Sequence, residues 1–380
     1  MQTFMNGAIA VVLSASFQGI SPCHAESPPP VAVIGAQWEV TKDLKFKVDN
    51  SIPEYNVSGM ACSLSDKSSR ICVIIDDELT FAERVNVRGR KIEPDAPIEL
   101  VTASTPVGTA PVIPCDDVKK PNDLDGEAVA ESEGSFYVIG SHGCGRNKGA
   151  FRSSSFLLAR IPLVGTPAVT YRVSEALQGC PDIGGRYGKW LQDFTGKDGK
   201  PRADDNGLNI EGLAITGGRM WIGLRGPVLR REGSPSDEAF IISLDADAPF
   251  IVDKPLQARL YSVGLGPERG VRDLAALGDG RILILAGPRI GGGIDYAIYV
   301  FDPRNGTAVA IATLRQHDPA QKQEGLVVLR EDRNTVDLLL LQDGVKNGGP
   351  YEVQVNVPPR GPAVPAGERQ CKAGSTPGRM

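Results

Sequence analysis

Four acidic residues stand at corresponding places in a repeated pattern: Glu127 in "DLDGEAVAESE", Glu211 in "NIEGLAITGG", Asp273 in "GVRDLAALGD" and Glu324 in "KQEGLVVLRE". A fifth copy, "NVSGMACSL", carries Gly59 instead. Each is followed by an apolar run, a turn and a second apolar run. A second polar set then appears: His142 with Arg146 in "GSHGCGRNKG", Arg225 in "GLRGP", Arg289 in "AGPRIGGG" and Asp343 in "LQDG". Carboxylates gathered on one rim repel each other unless cations intervene. One solution is a hard metal such as Ca²⁺, held by Glu127, Glu211, Asp273 and Glu324. The other is Arg225, Arg272 and Arg289, pairing bidentately with carboxylates of neighbouring units. In that case the motif is a latch between units, the preferred of the two readings.

The chemistry such a rim supports is hydrolysis or binding. A metal would polarise an oxygen and activate water, with Glu211, Arg225 and His142 as the candidate catalytic residues. Arg146, Arg272, Arg289 and Asp343 would then bind the ligand. The basic clusters "RNKGAFR" and "RGPVLRRE" suit a small anionic ligand, because the guanidinium fork matches phosphate and carboxylate. His142 is the better histidine for acid–base work, although a loop-stabilising hydrogen bond is its plainer role. His317, in "RQHDPAQKQEG", reads as a loop residue. No G-x-S-x-G elbow, H-E-x-x-H helix or phosphate-binding loop occurs. "NDLDGEAVAESE" lacks the acids a calcium loop needs at its first and twelfth positions. Two classes stay open: a metal-assisted hydrolase of small anionic or phosphoester substrates, and a non-enzymatic propeller that binds a ligand or partner.

What positions these residues is a repeat. The units contain hairpin turns such as "ESEGS", "TGGR" and "GDGR", where glycine supplies the positive φ. Their strands are apolar nearly throughout ("RILILAG", "VDLLLLQ"), as expected for sheets covered on both faces. Weaker third and fourth strands follow, for example "EAFIISLD" with "QARLYSVG". Several four-stranded antiparallel units with buried inner strands describe an all-β fold, a β-propeller. Five blades are expected, with a degenerate sixth possible. The last unit has only three clear strands, so "AQWEVTKDLKFKVD" near the N-terminus is expected to close the ring. The stretch "LQGCPDIGGRYGKWLQDFTGKDGKPRADDNG" reads as an excursion over one face. Both polar sets then reach one end of the central channel, where propellers usually bind ligands.

The chain has 380 residues with a formal net charge of −5, which argues against a nucleic-acid partner. No stable membrane insertion is expected after the first thirty residues. Residues 1–25 read as a signal peptide, with the apolar "GAIAVVLSASFQGI" and "CHA" before Glu26, although no Lys or Arg precedes the apolar run. The mature protein is then periplasmic or secreted, with the propeller over 26–360 and an irregular tail over 361–380. Six cysteines remain after cleavage, an even number that suits disulfides in an exported protein. Centring the first hairpin on Lys67 opposes Cys62 and Cys72, which predicts that bond. Cys144 and Cys180 are expected to share a face and pair, leaving Cys115 for Cys371. No oligomeric state follows from the sequence.

Taken as a set, "YVIGSHG…RNKG", "NIEGLA", "WIGLRGP", "GVRDLAAL" and "ILILAGP" resemble the bacterial family known as domain of unknown function 3616, over roughly residues 55–357. The "EGLA" element is more distantly similar to secreted phytase-like esterase propellers. The first resemblance implies no activity. The second implies a propeller and, at most, phosphoester chemistry.

Overall fold

A computed structural model of the chain describes residues 28–44, 56–63, 69–113, 115–119, 123–145, 149–230, 236–315, 318, 320–363 and 367–372. The expected signal peptide lies outside them, as do Arg146 and His317. Five antiparallel sheets succeed one another along the chain, each beginning with its innermost strand: Val57–Cys62, Gly126–Ser132, Asn209–Thr216, Arg269–Ala276 and Lys322–Glu331. Each innermost strand contacts those of the preceding and following sheets, and the fifth contacts the first, so the sheets close into a five-bladed β-propeller. No sixth blade is present among the described residues.

Blades form because each repeat is a chain of hairpins whose apolar strands cannot be covered from within one sheet. In the third, Thr216 opposes Arg219 across Gly217 and Gly218, whose φ values of 59° and 69° make the two-residue turn. Five hydrophobic clusters result, one in each seam between adjacent blades. Leu285 and Leu340, for example, meet between the fourth and fifth. Truncating one such leucine to alanine costs about 2–5 kcal/mol.

The ring is closed by an N-terminal strand, somewhat earlier than the sequence suggests. Val33–Gln37 pairs antiparallel with Tyr351–Asn356 as the outer strand of the fifth blade. Glu39–Val40 then crosses to the first blade, pairing parallel with Lys91 and Ile92. Trp38 lies between and donates its Nε1–H to Glu352 at 2.9 Å. The "irregular" tail also has a pairing role, since Arg369–Gln370 adds a fifth strand to the third blade.

Cys62 opposes Cys72 and is bonded to it, as the hairpin register requires. The other two pairs differ from expectation: Cys115 bonds Cys144, and Cys180 bonds Cys371. The cause is local. Asp117–Val118 pairs with Ala150–Phe151, and Gly145 bridges Ala150, which carries Cys115 to the loop of Cys144. Cys180 caps the helix Val173–Gly179, where the Gly179 carbonyl accepts the Lys372 N–H at 2.9 Å.

Deleting residues 31–40 strips the fifth blade of its outer strand and leaves Tyr351–Asn356 as a bare edge. Aggregation or a large loss of stability is expected by size-exclusion chromatography and thermal melting; a soluble deletion with wild-type melting would refute this closure.

Candidate functional site

The side chains at the channel mouth are aimed by one device, used five times. In each innermost strand the register against its partner slips by one residue. Val57 and Gly59 face Asp76 and Ile75, so Ser58 is extra. The same slip leaves Glu127, Glu211, Arg272 and Glu324 as the extra residues of the other blades. A β-bulge bends its strand and redirects the inserted side chain. Oxygens of Glu127, Glu211 and Glu324 consequently lie within 4.8 Å of one another, and all three side chains are buried.

The next residue in each strand must let the following blade approach. A Cβ on Gly59 would lie 3.0 Å from the Ala128 Cα, and one on Gly212 would lie 2.9 Å from the Leu274 Cγ. Ala128 and Gly325 hold this place in the second and fifth blades; in the fourth it is Asp273. The equivalence of Asp273 with the glutamates is therefore off by one, and Arg272 is the channel residue. Asp273 faces its neighbours instead. Its Oδ1 accepts the Leu274 N–H and its Oδ2 the Leu326 N–H, both at 2.7 Å, and Leu213 donates a further backbone bond. One carboxylate thus ties three blades, and it stands apart from the expected metal-ligand set, of which Glu127, Glu211 and Glu324 gather. Burial raises its pKa, against the pull of those three donors.

Arg272, 1% exposed, places Nη2 3.1 Å from Glu211 Oε2 and also pairs with Glu324 Oε1. Burial alone would lower its pKa, but the charges of Glu211 and Glu324 outweigh it and hold the group above the usual arginine value. Arg225 donates from Nη1 to Glu211 Oε1 at 2.8 Å and from Nε to the Arg289 carbonyl at 2.7 Å. Glu127 has neither arginine: burial, then the charges of Glu211 and Asp125, push its pKa well above the carboxylate range. Glu324 is pushed up to about 7 by burial, which Arg272 only partly offsets. Three carboxylates thus share two guanidiniums, and protons held on Glu127 and Glu324 offset the charge that the arginines leave.

Not every expected residue joins the mouth. Arg289 anchors the excursion instead, bonding the Leu191 carbonyl at 3.2 Å and Asp204 at 2.9 Å. Asp343 lines the mouth but is paired with Lys322. His142 is sealed in the core at φ 55°, its ring against Phe156 and its Nδ1–H donating to the Gly140 carbonyl at 3.0 Å. Burial pulls its pKa down to about 4, and it does not line the cavity, so it holds the loop.

Sequence reasoning missed Asn209, two residues before Glu211. It is 9% exposed, lines the cavity with the glutamates, and its Oδ1 has no hydrogen-bond partner. The excursion contributes Lys189 and Leu191 to the same cavity. The enclosed space is about 40 Å³, room for an ion with a few waters, since one water needs roughly 10–15 Å³.

Titration of the ring gives a testable slope. Glu324 is raised to about 7 and Glu127 well above its ordinary value, so above 4.5 the folded state keeps protons that the unfolded chain has lost. Their contribution is full below 4.5 and is lost as pH rises. His142 acts oppositely, but only between about 4 and 6.5. In chelator, stability measured by urea unfolding should fall from pH 6.5 to 8, and Glu127→Gln should flatten the fall. A rise over that interval would contradict these environments.

No curated protein matches the chain. Among solved structures, a GH43_1 enzyme from Xanthomonas citri is 8% identical with a TM-score of 0.41, covering 80% of this chain and 89% of that one. A GH43 endo-arabinanase from Bacillus licheniformis is 11% identical with a TM-score of 0.33, covering 81% and 96%. The Bacteroides ovatus protein titled "Xyloglucan PUL GH43B" is 14% identical with a TM-score of 0.32, and the match covers 64% of this chain and only 40% of that one. At these scores the likeness says nothing of this chain's chemistry. Residues 188–348 match the model of the family described as "Protein of unknown function (DUF3616)", the family that the sequence motifs resemble.

Proposed function

We propose that the channel mouth is the centre of an exported hydrolase assisted by a divalent cation, acting on small polar substrates. The observation that carries this reading is the buried glutamate trio sharing two arginines, beside an unpartnered Asn209 Oδ1. The donor set fits a hard cation, which prefers carboxylate and amide oxygens. Both Glu211 oxygens are engaged by arginine, so Glu127, Glu324 and Asn209 would do most of the holding. When bound, such an ion polarises a substrate oxygen and makes water more acidic. Arg272 and Arg225 keep Glu211 charged and fixed, and Lys189 offers a cation from the excursion for orienting a substrate. Phosphoesters are one substrate class within this reading, and a small anionic ligand fits Lys189. Three disulfides support an oxidising compartment, periplasmic or extracellular. No helix among the described residues is long and apolar enough to cross a membrane.

The non-enzymatic binding reading is favoured by one observation. Arg272 already joins Glu211 and Glu324 across three blades, so the latch accounts for two of the three glutamates without any ion.

Melting with calcium and with chelator separates the two. A cation at a hundred times its Kd should stabilise the wild type by about 2.7 kcal/mol, and Glu127→Gln should lose most of that gain. A wild-type melting temperature indifferent to calcium, magnesium, manganese and chelator, with no metal in the purified protein, would remove the cation and leave the latch.

A further inference from the structure

Past the bulges, the innermost strands run on, and their last residues enclose a second cavity, of about 330 Å³. All five blades supply its walls, including Met60, Val129, Leu213, Leu274 and Leu326. Its charged lining residues are all acidic: Glu131, Glu133 and Glu331, with no Lys, Arg or His among the described residues.

These acids, Glu131 half-buried and Glu133 and Glu331 exposed, differ from those of the mouth in having no ion pair among the described residues. Glu131 Oε1 accepts the Gly134 N–H at 2.9 Å, and the Glu331 oxygens accept the Gly278 N–H at 2.9 and 3.1 Å. The bonds fix the two carboxylates in place but leave their charge. Arg70, in the seam behind, is committed to the Val328 and Leu329 carbonyls.

We infer that this far end of the channel is a separate binding site for a small organic cation, an ammonium group carried on an apolar body. Size, wall and charge each limit the ligand. An apolar cavity of about 150 Å³ accepts benzene, so this one takes a body of one or two rings and excludes a folded peptide. Ligand pockets are mostly apolar concavities of about 300–1,000 Å³ with a few placed polar groups. A walled cleft lined by charge of one sign concentrates ions of the other. A neutral ligand would desolvate the carboxylates without replacing their water, and an anion would be repelled.

Benzyltrimethylammonium is a suitable probe, with benzyl alcohol and phenylacetate as neutral and anionic counterparts, titrated calorimetrically into the intact chain. One saturable site is expected for the cation alone. The double variant Glu131→Gln/Glu331→Gln should weaken it by about tenfold or more, about 1.4 kcal/mol. Gly278→Phe should abolish it: Gly278 lines the cavity, a Cβ there has its nearest neighbours in the Glu331 carboxyl group at 3.6 Å, and a phenyl ring added at that place competes with the ligand for space. Glu127→Gln, at the other end, should bind as the wild type does. No saturable heat with the cation, equal binding of all three probes, or full binding by Gly278→Phe would each overturn the site.

Discussion

A guanidinium with almost no contact with water is the constraint on which the rest of this structure depends. Isolated, such a charge would cost many kcal/mol to bury. Arg272 is tolerable only because Glu211 and Glu324 reach it from the blades on either side. Removing one partner of a buried pair typically costs about 3–5 kcal/mol, since the other charge is left uncompensated. The pair therefore fixes how far apart three innermost strands stand, and it fixes them at the end of the channel where the mouth opens.

The bulges make that meeting possible. An unbroken strand would turn each of these side chains toward a neighbouring blade, as the rest of the strand does. The inserted residue turns it to the axis, and the small residue that follows lets the blades close behind it. Asp273 is the exception that supports the rule: where the fourth blade lacks a small residue, a carboxylate replaces the missing contact with backbone hydrogen bonds to both sides. Stability and site thus share one element, and Glu127 is the member of the trio with no arginine ion pair among the described residues.

Much of the architecture was legible because it repeats. Hairpin turns at Gly217–Gly218 and continuous apolar runs such as "RILILAG" announce blades, and the Cys62–Cys72 bond follows from counting residues around a turn. The errors arose where geometry departs from counting. Residue type aligned Asp273 with Glu211, because a bulge adds a residue without leaving a mark of its own in the sequence. Cys115 and Cys180 found partners through a parallel pairing and a helix end, neither of which strand periodicity describes. For His142 both an acid–base and a loop-holding role were open; its loop folds inward against Phe156, which leaves it the second. Asn209 was visible beside Glu211 but carried no charge to draw notice; its importance is an unpaired oxygen, which only packing reveals.

The proposed site for a hard cation lies beside Glu127 in the ring of bulges, with Arg272 as the fixed counter-charge. Crystals grown with manganese, and anomalous diffraction measured from them, test it most directly. The account predicts a single strong anomalous peak in the channel mouth, bonded to Glu127 and Glu324 oxygens with Asn209 Oδ1 turned toward it, and Arg272 still paired with Glu211. A mouth without a peak at saturating manganese, or a peak ligated by Asp273 with Arg272 displaced, would contradict it.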